Sequence, residues 1–162
     1  MSPPVRLVKS SENMPEKVDV VVVGAGIVGA SAAWFLTKRG LKVALCEKGV
    51  VAGEQSSRNW GLCRQQGRDP RELPLAIESL RIWRGLDAEI ENETGFVEAG
   101  IIYVVGTEKE LTQYEAWIEH AQQYQLDTHL VGREGLKELL PEVQADYLGA
   151  LYTPSDGRAE PA

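Results

Sequence analysis

Cysteine is scarce in this sequence. Two occur among 162 residues, Cys46 and Cys63. That is too few for a disulfide framework or a zinc set, and a reducing, cytoplasmic setting is the default expectation. Histidine is equally rare. His120 and His129 stand apart with no cysteine or carboxylate at ligand spacing, so helix-surface and strand positions explain them and no metal site is expected. Basic charge is also in deficit: 17 Lys and Arg face 24 acids, a net charge of −7. Nucleic acid is therefore not an expected partner, because a phosphate backbone needs a basic face. No Ser-His-Asp or Cys-His nucleophile arrangement is present. Residues 1–16 hold Pro3, Pro4 and Pro15 among scattered charges without a signal-length apolar run, and read as a flexible tail. The one uncharged stretch of note, 20–37, falls at the lower edge of the ~20 residues a membrane helix needs. Three glycines dilute it, and it changes from β-branched valines to helix-favouring alanines midway. It reads as a buried strand turning into a buried helix, with no transmembrane span.

What is present is an ordinary globular composition, 43% apolar and 25% charged, with length for one domain and a part of another. Residues 18–23 predict a central strand, apolar on both faces as in a parallel sheet. A turn at Gly24-Ala25-Gly26, a helix over 27–39 stopped by Gly40, and a strand over 42–47 with Cys46 in its core complete a β-α-β unit. A polar stretch over 53–70 is long enough to be a functional loop. A helix follows from Asp69-Pro70 to about Glu93, with Ala76, Ile77, Leu80, Trp83, Leu86 and Ile90 inward and Gly95 as its end. Its acidic run, 87–93, reads as a solvated face. Strands are expected over 96–98 and 101–105. Thr107 and Glu110 fit a capping box opening a helix that turns Leu111, Tyr114, Trp117, Ile118 and Ala121 inward. A strand over 128–131, a helix over 133–140, a strand over 147–153 and a turn at Pro154-Ser155-Asp156-Gly157 close the pattern.

The strongest chemical signal is Gly24-Ala25-Gly26-Ile27-Val28-Gly29. Glycine-rich turns are common, but this one follows a strand, opens a helix, and is answered by an acid at the end of the next strand. Gly24 permits the tight turn. Gly26 has no Cβ to keep a diphosphate off the backbone, and Gly29 lets the helix approach the strand, with Ala33 continuing the small face. The amides around Ile27 and Val28 then point at the phosphates, aided by the helix dipole. Glu47 sits where a carboxylate accepts hydrogen bonds from adenosine ribose hydroxyls and repels a 2′-phosphate, which argues against NADP. The unit by itself leaves NAD and FAD open. Cys63 has two readings, a thiol activated by neighbouring Arg64 or an inert buried one, the second preferred.

The pattern from Asp19 to Glu47 resembles the opening of FAD-dependent amine and amino-acid oxidoreductases, the family of D-amino-acid oxidase, glycine oxidase and the sarcosine oxidases. Gly53-Glu54-Gln55-Ser56-Ser57-Arg58-Asn59-Trp60-Gly61 looks like that family's second flavin-contacting loop. Leu73-Pro74-Leu75-Ala76 and Leu80-Arg81-Ile82-Trp83 are similar to the helix that follows it. Residues 96–105 and 151–161 resemble its substrate-domain strands. The resemblance implies an α/β fold: a Rossmann-like FAD-binding β-α-β unit, residues 17–94, and the beginning of an α+β substrate domain, 95–162, apparently truncated. It favours FAD as cofactor. It implies that Gly24, Gly26, Ile27, Val28 and Gly29 serve the diphosphate, Glu47 and Lys48 the adenosine, and Ser56, Ser57, Arg58, Asn59, Trp60 and Gly61 the ribityl chain. For Trp60, stacking near the flavin and a core or interface position stay open. Family members are more than twice as long, so a missing C-terminal half or a partner subunit is expected. The implied activity is oxidation of the C–N bond of an amino acid or a secondary or N-methyl amine. Rival readings are an FAD-dependent hydroxy-acid or glycerol-phosphate dehydrogenase, and a non-catalytic nucleotide-binding fragment or subunit. No catalytic residue is identified.

Overall fold

The computed structural model describes residues 5–11 and 13–161. The expected tail at 1–16 falls partly outside the described residues; 5–11 and 13–19 form neither helix nor strand. The chain divides into two compact units, Met1–Trp60 with Pro161–Ala162, and Gly61–Glu160. This division lies upstream of the 94/95 boundary expected from sequence. Hydrogen bonds of the second unit explain why: Gln65 and Gln66 bond to Asp156, which ties the segment after Gly61 to the far end of the chain.

In the first unit the valine run forms β1 (Val20–Val23), α1 spans Ile27–Lys38, and β2 (Val43–Cys46) returns parallel to β1. Val20 lies opposite Val43 and Val23 opposite Cys46. Asp19 sets this register: its amide donates to Lys42 O at 2.9 Å, and its carboxylate accepts from Lys42 N at 2.8 Å. α1 ends as expected at Gly40. The Gly40 amide bonds to Thr37 O and the Leu41 amide to Leu36 O, the two bonds of a Schellman stop. The sheet differs from expectation in one respect. β1 is not apolar-buried on both faces, because its burial alternates and Val21 and Val23 are 57% and 85% exposed. α1 covers one face of the strand pair only. Cys46, expected in the core, is exposed for the same reason: it is the register partner of Val23 and shares its face.

The second unit is built on a three-stranded antiparallel sheet. β4 (Ile101–Val105) and β5 (His129–Gly132) flank β6 (Gly149–Thr153). α3 (Glu108–Gln123) packs on β4 and β5, and α4 (Arg133–Leu139) on β5 and β6. The central strand is the core: Ala150 and Leu151 are fully buried, with Val105, Ala121 and Leu136 around them. Burying a leucine side chain of this kind contributes about 2 kcal/mol. The capping box forms as read, with Thr107 Oγ1 accepting from Glu110 N and Glu110 Oε2 accepting from Thr107 N and Gly106 N.

Preceding that sheet are β3 (Leu62–Cys63) and α2 (Leu73–Ile90), and β7 (Gly157–Arg158) pairs antiparallel with β3. α2 buries Leu73 and Leu80, with Ala76, Ile77, Trp83, Leu86 and Ile90 half-buried. It stops earlier than expected. Glu91 already takes the left-handed conformation at φ +51, four residues before Gly95 at φ +65, and the Asp87 carboxylate accepts from Thr94 N and Oγ1. Asp87 is thus a local clasp and not part of a merely solvated acidic face. The expected strand over 96–98 reduces to one bridge, Val97 with Arg158. No described helix is long and apolar enough to cross a membrane.

Candidate functional site

The glycine corner of the first unit is assembled from backbone. Gly24 has φ +98, open to glycine and strained for other L residues. A Cβ at position 29 would lie 1.8 Å from Gly24 O, so only glycine lets α1 begin this close to β1. Both polar groups of Ala25 are engaged: its amide donates to Glu47 Oε2 at 2.8 Å and its carbonyl accepts from Ala52 N at 2.9 Å. Glu47 also accepts from Gly49 N through Oε1 at 2.9 Å. These two amides, Ala25 first, hold its carboxyl below the ordinary carboxylate range, so it is ionised at neutral pH. Each carboxylate oxygen keeps a lone pair free for a further donor.

The corner opens onto a groove of about 600 Å³, bounded by Val23 and Cys46 at the strand ends, by Glu47 and Lys48, and by Val50 and residues 52–56. At its α1 end Ser56 Oγ accepts from Ile27 N at 2.8 Å. A Cβ on Gly26 would come 3.0 Å from that oxygen. Gly26 itself caps α1 without any side chain, and Val28 is 79% exposed, so the start of the helix presents main-chain donors. The arrangement suits a ligand with an anionic middle and a sugar hydroxyl pair: donors at the helix start and an ionised acceptor at the end of β2.

The structure brings together Gly24, Gly26, Ile27, Val28, Gly29, Glu47, Lys48 and Ser56 from the sequence reading. The rest of the loop is folded on itself. Ser57 is buried and its hydroxyl bonds Glu54 O. Arg58 pairs with the Glu54 carboxylate and carbonyl. Asn59 Nδ2 bonds the carbonyls of Gln55 and Ser56. Trp60 is 88% exposed, which removes the core reading. Gly61 opens the second unit with φ +68. Sequence reasoning missed Cys46, Val50 and Ala52 as groove walls, while Gly53, Glu54 and Gln55 lie in the loop it singled out. The signal was Gly49 with Gly53, where a Cβ at 53 would meet Val50 O at 3.0 Å and mark a tight turn. Cys63 is not activated. Burial pushes its thiol up to about 11, with the Asp156 carboxylate adding to the rise. His129 Nδ1 lies 2.8 Å from Asp127 O and its ring meets Tyr152 edge-on. Among the described residues no group of three or more His, Cys, Asp or Glu is placed to hold a metal.

Comparison with known proteins gives a consistent picture. Residues 19–162 match the family model described as DAO, FAD dependent oxidoreductase. Glycine oxidase of Geobacillus kaustophilus is 32% identical over 157 residues, covering 90% of this chain and 41% of its own. The mitochondrial sarcosine dehydrogenase of Mus musculus is 27% identical over 155 residues, 94% of this chain and 17% of its own. The structure of L-amino acid deaminase from Proteus myxofaciens in complex with anthranilate superposes with a TM-score of 0.91 at 30% identity, over 99% of this chain and 37% of that one. The chain thus spans less than half the length of each of these relatives.

Proposed function

This chain belongs to the FAD-dependent oxidoreductase family DAO, and from that premise we propose that its glycine corner is the seat of FAD. Gly24, Gly26 and Gly29 shape the cradle, and the Val28 amide and the Ser56 hydroxyl face the diphosphate, while the Ile27 amide, expected to face it too, is taken up in holding Ser56 Oγ. Glu47 takes the ribose hydroxyls and Lys48 lies beside the adenosine. Ser57, Arg58 and Asn59 hold the loop in shape, and Trp60 stands at its exposed end. The residues fit the group: position 26 has no Cβ where Ser56 Oγ already lies close, and Glu47 is ionised with two acceptor positions to spare. The observation that carries the reading is the Glu47 carboxylate bonded to the Ala25 amide, which puts the acid directly against the glycine turn.

FAD, when bound, supplies hydride-accepting chemistry; the protein's part is to bind and orient it. The corner's amides neutralise anionic oxygens without a counter-cation, and the negative Glu47 discriminates against a 2′-phosphate. The substrate class we propose is an amino acid or a secondary or N-methyl amine, oxidised at the carbon next to nitrogen. Support comes from the compounds named in the relatives: glycine, sarcosine and L-amino acids all have such a carbon. A cytoplasmic setting belongs to the same proposal and rests on the two unpaired thiols. The test is a titration of the purified chain with FAD, read by visible absorbance and fluorescence quenching, with NADH in parallel. Saturable FAD binding with a flavin band supports the seat; NADH binding without FAD binding overturns it. Bleaching of the bound flavin by a panel of amines and 2-hydroxy acids, without oxygen, then reads the substrate class.

A further inference from the structure

The groove of the first unit holds a charge that the cofactor seat leaves unused. Three charged residues bound it: Glu47, Lys48 and Glu54. Glu47 has its role against the glycine turn, and Lys48 lies next to it. Glu54 is different. It is an acid on the wall of a seat for an anionic ligand, where a carboxylate repels what the helix start attracts. It is not spent on the backbone either. Glu54 stands in the N-cap position of the short 3-10 turn Gln55–Ser57, yet its side chain makes no capping hydrogen bond. Its carbonyl instead holds the turn, accepting from Ser57 N at 3.3 Å and from Ser57 Oγ at 3.2 Å.

The carboxylate goes to Arg58, four residues on. Arg58 grips Glu54 at two points, with Nη2 on the carboxylate and Nε on the carbonyl at 3.3 Å. The Arg58 side chain is 45% exposed and that of Glu54 68%, so water screens the pair and its strength is modest. Arg58 is not among the residues that bound the groove. Its positive charge is felt there as the neutralisation of Glu54. Asn59 keeps the arrangement in place, since its Nδ2 bonds the carbonyls of Gln55 and Ser56 and fixes the turn between the two partners. Glu54 precedes by two residues the Ser56 hydroxyl that marks the α1 end of the groove.

Given the FAD seat put forward above, we propose that Glu54 is a specificity-determining residue that filters ligands by phosphate charge, and that Arg58 is a positioning residue that sets the filter by neutralising it. A diphosphate esterified at both ends carries about one negative charge per phosphorus, and a free terminal phosphate about 1.5–2. The Glu54 carboxylate adds a repulsion that grows with each charge, so it costs a dinucleotide least and a nucleotide with a free terminal phosphate most. The filter lets the seat take a dinucleotide in the presence of ADP, which shares its adenosine end. Hydrogen bonding at Glu47 cannot make that distinction, because both ligands offer the same ribose hydroxyls.

The experiment measures dissociation constants of the full chain, for FAD by flavin fluorescence quenching and for ADP by calorimetry, at low and at high salt. Glu54→Gln keeps the carbonyl contacts of position 54, so the turn survives the change. It binds FAD about threefold tighter and ADP tighter still, and the preference for FAD narrows. Arg58→Gln uncovers the acid, weakens FAD about threefold and ADP more, and the preference widens. Arg58→Lys keeps the cation and stays within about twofold of the unmodified chain. The double variant, Glu54→Gln with Arg58→Gln, removes a neutral pair and lies with the unmodified chain. All these differences shrink at high salt, as a charge effect must and a structural one need not. An FAD affinity of Glu54→Gln no higher than that of the unmodified chain, or a double variant as weak as Arg58→Gln, overturns the filter and leaves the seat standing. An unmodified chain that binds no FAD overturns both.

Discussion

Glu47 and Asp156 do the same thing in two different surroundings. Each carboxylate accepts the backbone amides of two residues, Ala25 and Gly49 in one case, Gln65 and Gln66 in the other. At Glu47, partly open to solvent, the amides dominate and the carboxyl is lowered; at Asp156, fully buried, loss of hydration dominates and the carboxyl is raised. A third such group, Glu110, takes Gly106 N and Thr107 N at the start of α3. The difference teaches that amide bonding alone does not fix the state of an acid. Depth decides whether the anion is a ready acceptor for a ligand, as at Glu47, or a strained internal fastener, as at Asp156.

The largest effect belongs to the first region. Gly29→Val drives a side chain into Gly24 O and costs about 3 kcal/mol or more of stability, read as a lost or strongly lowered thermal transition. Gly26→Val fills the space beside Ser56 Oγ and weakens FAD binding about a hundredfold while far-UV circular dichroism keeps the α1 signal; unchanged affinity would remove the cradle. The thiols give a chemical version of the comparison. Cys63 is raised from the ordinary 9.0 to about 11, so its thiolate at neutral pH is scarcer by roughly a hundredfold, and exposed Cys46 should be alkylated first by iodoacetamide, identified by mass spectrometry. Equal rates would break the contrast in depth.

Smaller effects follow from pH. A lowered carboxyl stabilises the folded state above its unfolded pKa, near 4.5, and loses that contribution as pH falls through the lower folded value. Glu47→Gln should therefore flatten part of the acid-side fall in the thermal transition. A raised carboxyl works in the opposite sense: Asp156 binds its proton more tightly when folded, so stability is gained as pH falls through its raised value. Opposite signs in Glu47→Gln and Asp156→Asn sharpen the comparison; the same sign would refute it. Thr107→Ala is the smallest change. It loses one half of the capping box, about 1 kcal/mol, with a drop of a few degrees in the thermal transition.

Much of this was legible in residue order. The β-α-β unit was, because valines, glycine spacing and Gly40 each require their local geometry. The capping box was, because both partners lie within one turn. The inward face of α2 was, because period and burial agree. What escaped depends on distant partners. Cys46 reads as strand core, but which face of β2 is covered is set by where α1 lies. Glu91 ends α2 because Asp87 and Thr94 meet there, a pairing no propensity signals. The Asp156 fastening joins residues about ninety positions apart, and nothing near Pro154 announces it.

At Gly24, a Cβ would meet nothing within 4 Å, yet φ is +98. The restriction there is one of handedness and not of room. A D-alanine installed at position 24 by chemical synthesis should be accepted by the corner, whereas its L counterpart should not. The same test cannot be passed at position 29 by an L residue of any size, because there the obstacle is the neighbouring carbonyl itself. Two glycines five residues apart thus guard different things, one the sense of a bend and the other the closeness of a helix.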